Sequence, residues 1–193
     1  SMGCILLDNA INVQLLASPT RERLFKQVDQ MLQQLESNAE THELWGELES
    51  DADHQANKQT MDIIKDLTNI CRVRRTVLEF DEEFMADRQI QDLYRNLGCF
   101  EICMKVMGLL DSVEEDEDGN LSEVAMNTKD LCFKCNELLY WYFLGNPKNQ
   151  EQGFKELEFF IETLDVGINS HLVIKAIFKG NETLMRLVPH SML

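Results

Sequence analysis

The feature that most constrains this chain is a break between two apolar helices. YFLGNPKNQ, Tyr142 to Gln150, separates the run KDLCFKCNELLYW from a second run, GFKELEFFIETL. Gly permits the left-handed backbone that ends a helix, so Gly145 marks a stop. Asn146 caps or tolerates the turn, and Pro147 starts the next helix where its missing amide costs nothing. Before the break, Leu131, Cys132, Cys135, Leu138, Leu139, Tyr142 and Phe143 share one wide face, which predicts a helix over 128–143. A helix apolar over so wide a face must be covered on both sides. The break is therefore read as a corner in a stack of helical hairpins.

Two internal echoes support that reading. Gly98 opens GCFEICMKVMGLL and Gly153 opens GFKELEFFIETLD; in that register Ile102 matches Leu157, Val106 matches Ile161 and Leu109 matches Leu164. Phe143-Leu144-Gly145-Asn146 is echoed by Phe178-Lys179-Gly180-Asn181, again behind an apolar helix. Helical repeats of about 40 residues with glycine at the corners predict an all-α, armadillo- or HEAT-like solenoid of stacked hairpins.

The rest of the chain divides around this unit. Residues 1–36 form an N-terminal helical segment, residues 37–58 an acidic polar insertion or linker, and residues 59–193 the helical repeat domain, with an acidic loop at 111–127. Ser1 and Met2 look like a cloning remnant and are set aside. Ser18-Pro19 signals a helix start, and Leu24, Phe25, Val28, Met31, Leu32 and Leu35 fall on one stripe. A second helix begins near Thr60 and runs into RVRR, whose charge suits a helix C-terminus. A short acid-rich connection around EFDEEF leads to a helix from about Ala86 to Leu97.

Charge narrows the possible partners. A formal net charge of −16 opposes binding to nucleic acid or to anionic membrane surfaces. No apolar run approaches the ~20 residues of a membrane helix. Most of the six cysteines sit within helical apolar patterns, as reduced core residues of a cytosolic protein do.

Chemical motifs are few. The run EEDEDGNLSEVA places Glu114, Asp116 and Asp118 at positions one, three and five of a candidate calcium loop, with Gly119 at six. Position twelve is Ala125, where such a loop relies on a bidentate Glu, so a solvated acidic connection is the expectation. Cys132-x-x-Cys135 and Cys99-x-x-x-Cys103 lie inside helices without the tight turns that present zinc ligands. They are expected to pack in the core. His42 and His54 fall in the acidic insertion and are expected to face solvent, whereas His171 is expected to pack or cap. Asn120-Leu121-Ser122 and Asn181-Glu182-Thr183 match the glycosylation pattern by letter alone, and Arg74-Arg75-Thr76 matches a basophilic kinase site equally briefly. No phosphate loop, nucleophile elbow or zinc-protease signature is present, so the chain is read as neither an enzyme nor a cofactor binder.

The order of these motifs resembles a known family. YRNLGCFEICMKVMGLL, followed by an apolar helix ending FLGNPKNQ, is similar to the RIH domain shared by ryanodine receptors and inositol trisphosphate receptors. The matching positions are Arg95, Asn96, Leu97 and Gly98, then Gly145, Asn146, Asn149 and Gln150. MDIIKDLTNICRVRR resembles the helix leading into this domain, and INSHLVIKAIFKGNETLMRLV the helical pair that follows, so the likeness runs from about Met61 to Leu193. Among copies of the domain it looks closest to the central cytoplasmic one of inositol trisphosphate receptors. Departures are the acidic connection between Leu110 and Thr128 and the first fifty residues.

The resemblance implies a cytosolic segment of a tetrameric calcium-release channel of the endoplasmic or sarcoplasmic reticulum. Its partners would be other domains and subunits of that channel, and its role the transmission of conformational change to the pore. Convergent Arg and Lys for a polyphosphate are missing, so direct inositol trisphosphate binding is not carried over. The apolar ending PHSML is read as the cut end of a longer solenoid. The rival expectation is a freestanding armadillo-like adaptor that holds a protein partner in its groove.

Overall fold

The structure is a computed structural model, and it describes residues 19–41, 50–78, 81–113 and 120–189. Its body is helical, as the spacing of apolar residues requires. Two long helices, α1 (Pro19–Glu40) and α2 (Asp51–Cys71), precede a β-hairpin of β1 (Arg72–Leu78) and β2 (Asp81–Ala86). Then follow α3 (Arg88–Asn96), α4 (Cys99–Met107), a 3-10 turn (Gly108–Ser112) and α5 (Glu123–Phe143). After the corner come α6 (Pro147–Lys155), α7 (Leu157–Glu162), a second 3-10 turn (Leu164–Val166), α8 (Ser170–Phe178) and α9 (Glu182–Met185).

Helix α5 is the centre of the packing and touches α2, α4, α6 and α8. Its wide apolar face explains why. Leu131, Cys132, Cys135, Leu138, Leu139, Tyr142 and Phe143 are all fully buried. Rings join the layers: Phe100 of α4 meets Phe143 edge-on at 5.4 Å and stacks on Tyr142 at 6.3 Å. Helix α1 lies against α2 and α4 and buries Val28, Leu32 and Leu35.

Three local readings change. First, the polar stretch read as a linker over residues 37–58 is helical at both ends, since α1 continues to Glu40 and α2 begins at Asp51. A capping box starts α2: the Ser50 hydroxyl accepts from the Asp53 amide while the Asp53 carboxylate accepts from Ser50 N–H. Asn57 and Thr60 are buried on this helix, so a polar composition hid a packed face.

Second, RVRR does not end a helix. Arg72 caps α2 in an extended conformation and the chain continues as β1, paired antiparallel with β2. The register sets Val73 opposite Met85 and Arg74 opposite Phe84, so β-branched and aromatic residues share the ladder.

Third, Gly153 does not correspond to Gly98. Gly98 sits between α3 and α4 with φ of 73°, while Gly153 lies inside α6. A Cβ at Gly153 would come 2.7 Å from Phe143 Cζ and 2.9 Å from Ile177 Cδ1. This glycine lets α6 approach α5 and α8 closely.

The second echo, by contrast, is structural. Gly145 and Gly180 both take left-handed backbone, with φ of 70° and 75°. Asn146 and Asn181 cap the helices that follow, accepting from the amides of Asn149 and Leu184. No helix among the described residues is long and apolar enough to cross a membrane.

Candidate functional site

Among the described residues, the main concentration of buried polar side chains lies at the Gly145–Asn146 corner. Helix α3 supplies one half of it. Asp87 caps α3 by accepting from the amides of Gln89 and Ile90, which fixes the helix's rotation. Ile90, Leu93 and Tyr94 then point into the core, and Tyr94 Oη donates to the Leu67 carbonyl of α2 at 2.7 Å. Gln91 and Asp92 share the buried side of this short helix and face the corner.

The end of α5 supplies the groups they meet. Gln91 Nε2 donates to the carbonyls of Trp141 at 2.7 Å and Leu144 at 2.9 Å, which have no helical partner beyond the stop at Gly145. Asn146 Nδ2 donates to Gln91 Oε1 at 3.3 Å and Asp92 Oδ1 at 3.2 Å. Asn149 Nδ2 donates to the carbonyls of Tyr142 at 2.9 Å and Gln91 at 3.3 Å. Arg95 Nη1 bridges the Asp92 carboxylate at 2.6 Å and Asn149 Oδ1 at 2.8 Å, and Arg88 donates to the Gly145 carbonyl at 3.0 Å. Asn146 and Asn149 are 0% exposed, so these bonds form away from water, where an unpaired partner would carry its full desolvation cost.

The same device recurs one corner later. Gln150 Nε2 donates to the carbonyls of Ala176 at 2.9 Å and Lys179 at 3.0 Å, and Asn181 Nδ2 donates to Gln150 Oε1 at 3.0 Å. In both places a Gln on one helix holds the end of a later apolar helix and the Asn that caps the next. Helix α6 belongs to both clamps, through Asn149 in the first and Gln150 in the second.

Of the sequence-selected residues, the fold thus brings together Arg95, Gly145, Asn146 and Asn149, and sets Gln150 at the second clamp. Asn96 is exposed at the end of α3, Gly98 joins α3 to α4, and Gly153 serves close packing. Sequence reasoning missed Gln91, Asp92 and Asp87. Their signal was polar side chains interleaved with the apolar stripe of a short helix.

The remaining candidates separate. Glu114, Asp116 and Asp118 lie outside the described residues; beyond them Ala125, in the place of the missing clamp, is buried in the first turn of α5. Cys4, His42 and His190 also lie outside the described residues. Cys71, Cys99, Cys103, Cys132 and Cys135 are free and buried. Burial pushes the Cys132 thiol up to about 12, and hydrogen bonding to Cys103 together with burial raises Cys99 and Cys135. Among the described residues no group of three or more His, Cys, Asp or Glu is placed to hold a metal ion. His54 is exposed, on α2, and His171, expected to pack or cap, is exposed in the first turn of α8.

Comparison with known proteins adds one finding. No curated protein matches the chain. The family model described as the RIH domain matches residues 58–191, a span that begins within α2 and includes both corners. The protein therefore belongs to the RIH domain family.

Proposed function

We propose that this chain is a cytosolic arm of a tetrameric intracellular calcium-release channel, of the inositol trisphosphate receptor type, at the endoplasmic or sarcoplasmic reticulum. Its helices stack as an armadillo-like solenoid, and it carries rearrangements between a ligand-sensing region and the pore without catalysis. Its partners are other domains and subunits of the same channel.

The observation that carries this reading is the repeated corner clamp. The carbonyls at the end of α5 are held by α3, and those at the end of α8 by α6, through side-chain amides rather than apolar contact alone. Buried hydrogen bonds fix both distance and direction, so a displacement of α3 is passed to α5 and α6 together. Apolar contacts alone resist sliding less.

The test uses the full-length protein containing this segment, in reticulum-derived vesicles. Agonist-evoked calcium release, normalised to protein abundance, should fall severalfold in Asn146→Ala while agonist binding per molecule is kept. Normal release from that variant, or no calcium flux from vesicles carrying the parent protein, overturns the proposal.

A further inference from the structure

A groove beside α5 gathers positive charge on an acidic chain. It has a volume of about 410 Å³ and runs between α2 and α5, with Lys65 and Arg72 on one wall and Lys134, Glu137, Tyr140 and Trp141 on the other. Three cations face one carboxylate, although the whole chain carries a formal charge of −16.

Helical spacing places these groups in two lines. Lys65 lies two turns before Arg72, the residue that caps α2, so their backbones are roughly 10 Å apart along the helix axis. Lys134 and Trp141 are separated in the same way on α5. The two lines end together, because the Arg72 guanidinium lies 6.0 Å from the Trp141 ring. Arg72 is also held 4.3 Å above the Phe84 ring of the hairpin, so its charge is already oriented. Lys134 is tied to Glu137 at 2.6 Å.

We propose that this groove is a docking site for an acidic, extended segment of a polypeptide. A rise of about 3.3 Å per residue puts carboxylates three residues apart over the Lys65–Arg72 interval. Glu137 disfavours a compact, densely charged head group, while Tyr140 and Trp141 offer flat apolar surface to a backbone. This inference does not depend on the channel reading, since any partner bearing such a segment satisfies the groove.

The probe is a fluorescein-labelled peptide copying residues 112–121, SVEEDEDGNL, titrated into the full 193-residue chain at low ionic strength and followed by anisotropy. A matched peptide carries Gln and Asn in place of its acids. The acidic peptide should bind and its unlabelled form should shift the tryptophan fluorescence of the chain but not that of a Trp141→Phe variant; the neutral peptide should bind at least tenfold more weakly. Lys65→Glu combined with Lys134→Gln should weaken binding at least tenfold with an unchanged melt, whereas Lys155→Glu, outside the groove, should leave it within twofold. The proposal fails if both peptides bind alike or neither binds, or if Lys155→Glu weakens binding as much as the groove variant. It also fails if tripolyphosphate displaces the peptide below the peptide's own midpoint concentration, which would mark a phosphate site instead.

Discussion

The corners at Gly145–Asn146 and Gly180–Asn181 share a backbone turn, an Asn cap and a Gln clamp, yet they stand in different surroundings. At the first, Asn146 is fully buried, donating to Gln91 and Asp92 and accepting from the Asn149 backbone amide. At the second, Asn181 is half-buried and its amide donates to Gln150 Oε1, while its neighbours Glu182 and Thr183 are exposed. Burial converts the same local motif from a helix cap into a fastening between units. The difference lies in what surrounds the turn, because an unmet polar group costs little where water can replace its partner.

Substitutions can break or sharpen that contrast. The largest effect is expected at neither turn but at the glycine that brings the corners together. Gly153→Val would drive a branched side chain into Phe143 and Ile177 and should lower stability by about 3 kcal/mol or more, read from the urea midpoint. Asn146→Ala removes a cap and leaves Gln91 and Asp92 short of a buried donor; about 2–3 kcal/mol is expected in the same assay. Gly145→Val meets open space, so only left-handed strain opposes it, and about 1–2 kcal/mol is expected from thermal melts. Gly145→Asn should recover part of that loss. The mildest change is Asn181→Ala, at about 1 kcal/mol. If Asn181→Ala proved as damaging as Asn146→Ala, burial would not be what distinguishes the corners.

How far each feature was legible follows from how local its cause is. The demand for left-handed backbone at Gly145 is written in the residue itself and its neighbours. The wide face of α5 is likewise a matter of spacing within one helix. Gln91 and Asp92 were not legible as parts of a clamp, since Gln91 finds its acceptors 50 and 53 residues away. The hairpin was missed for a related reason. RVRR satisfies a helix end when read alone, and only its pairing with DEEFMA makes it a strand. Aligning Gly98 with Gly153 failed because one glycine supplies torsional freedom and the other supplies space, and the letter is the same for both.

The sequence by itself determined the helical class, the Gly-Asn corners, the buried thiols and the family, because these rest on periodicity, torsional preference and motif order within short windows. Only the tertiary structure decided which polar groups became a clamp and which cations share a groove. Those outcomes depend on distances between residues far apart in the chain, and such distances are fixed only when the apolar faces have packed.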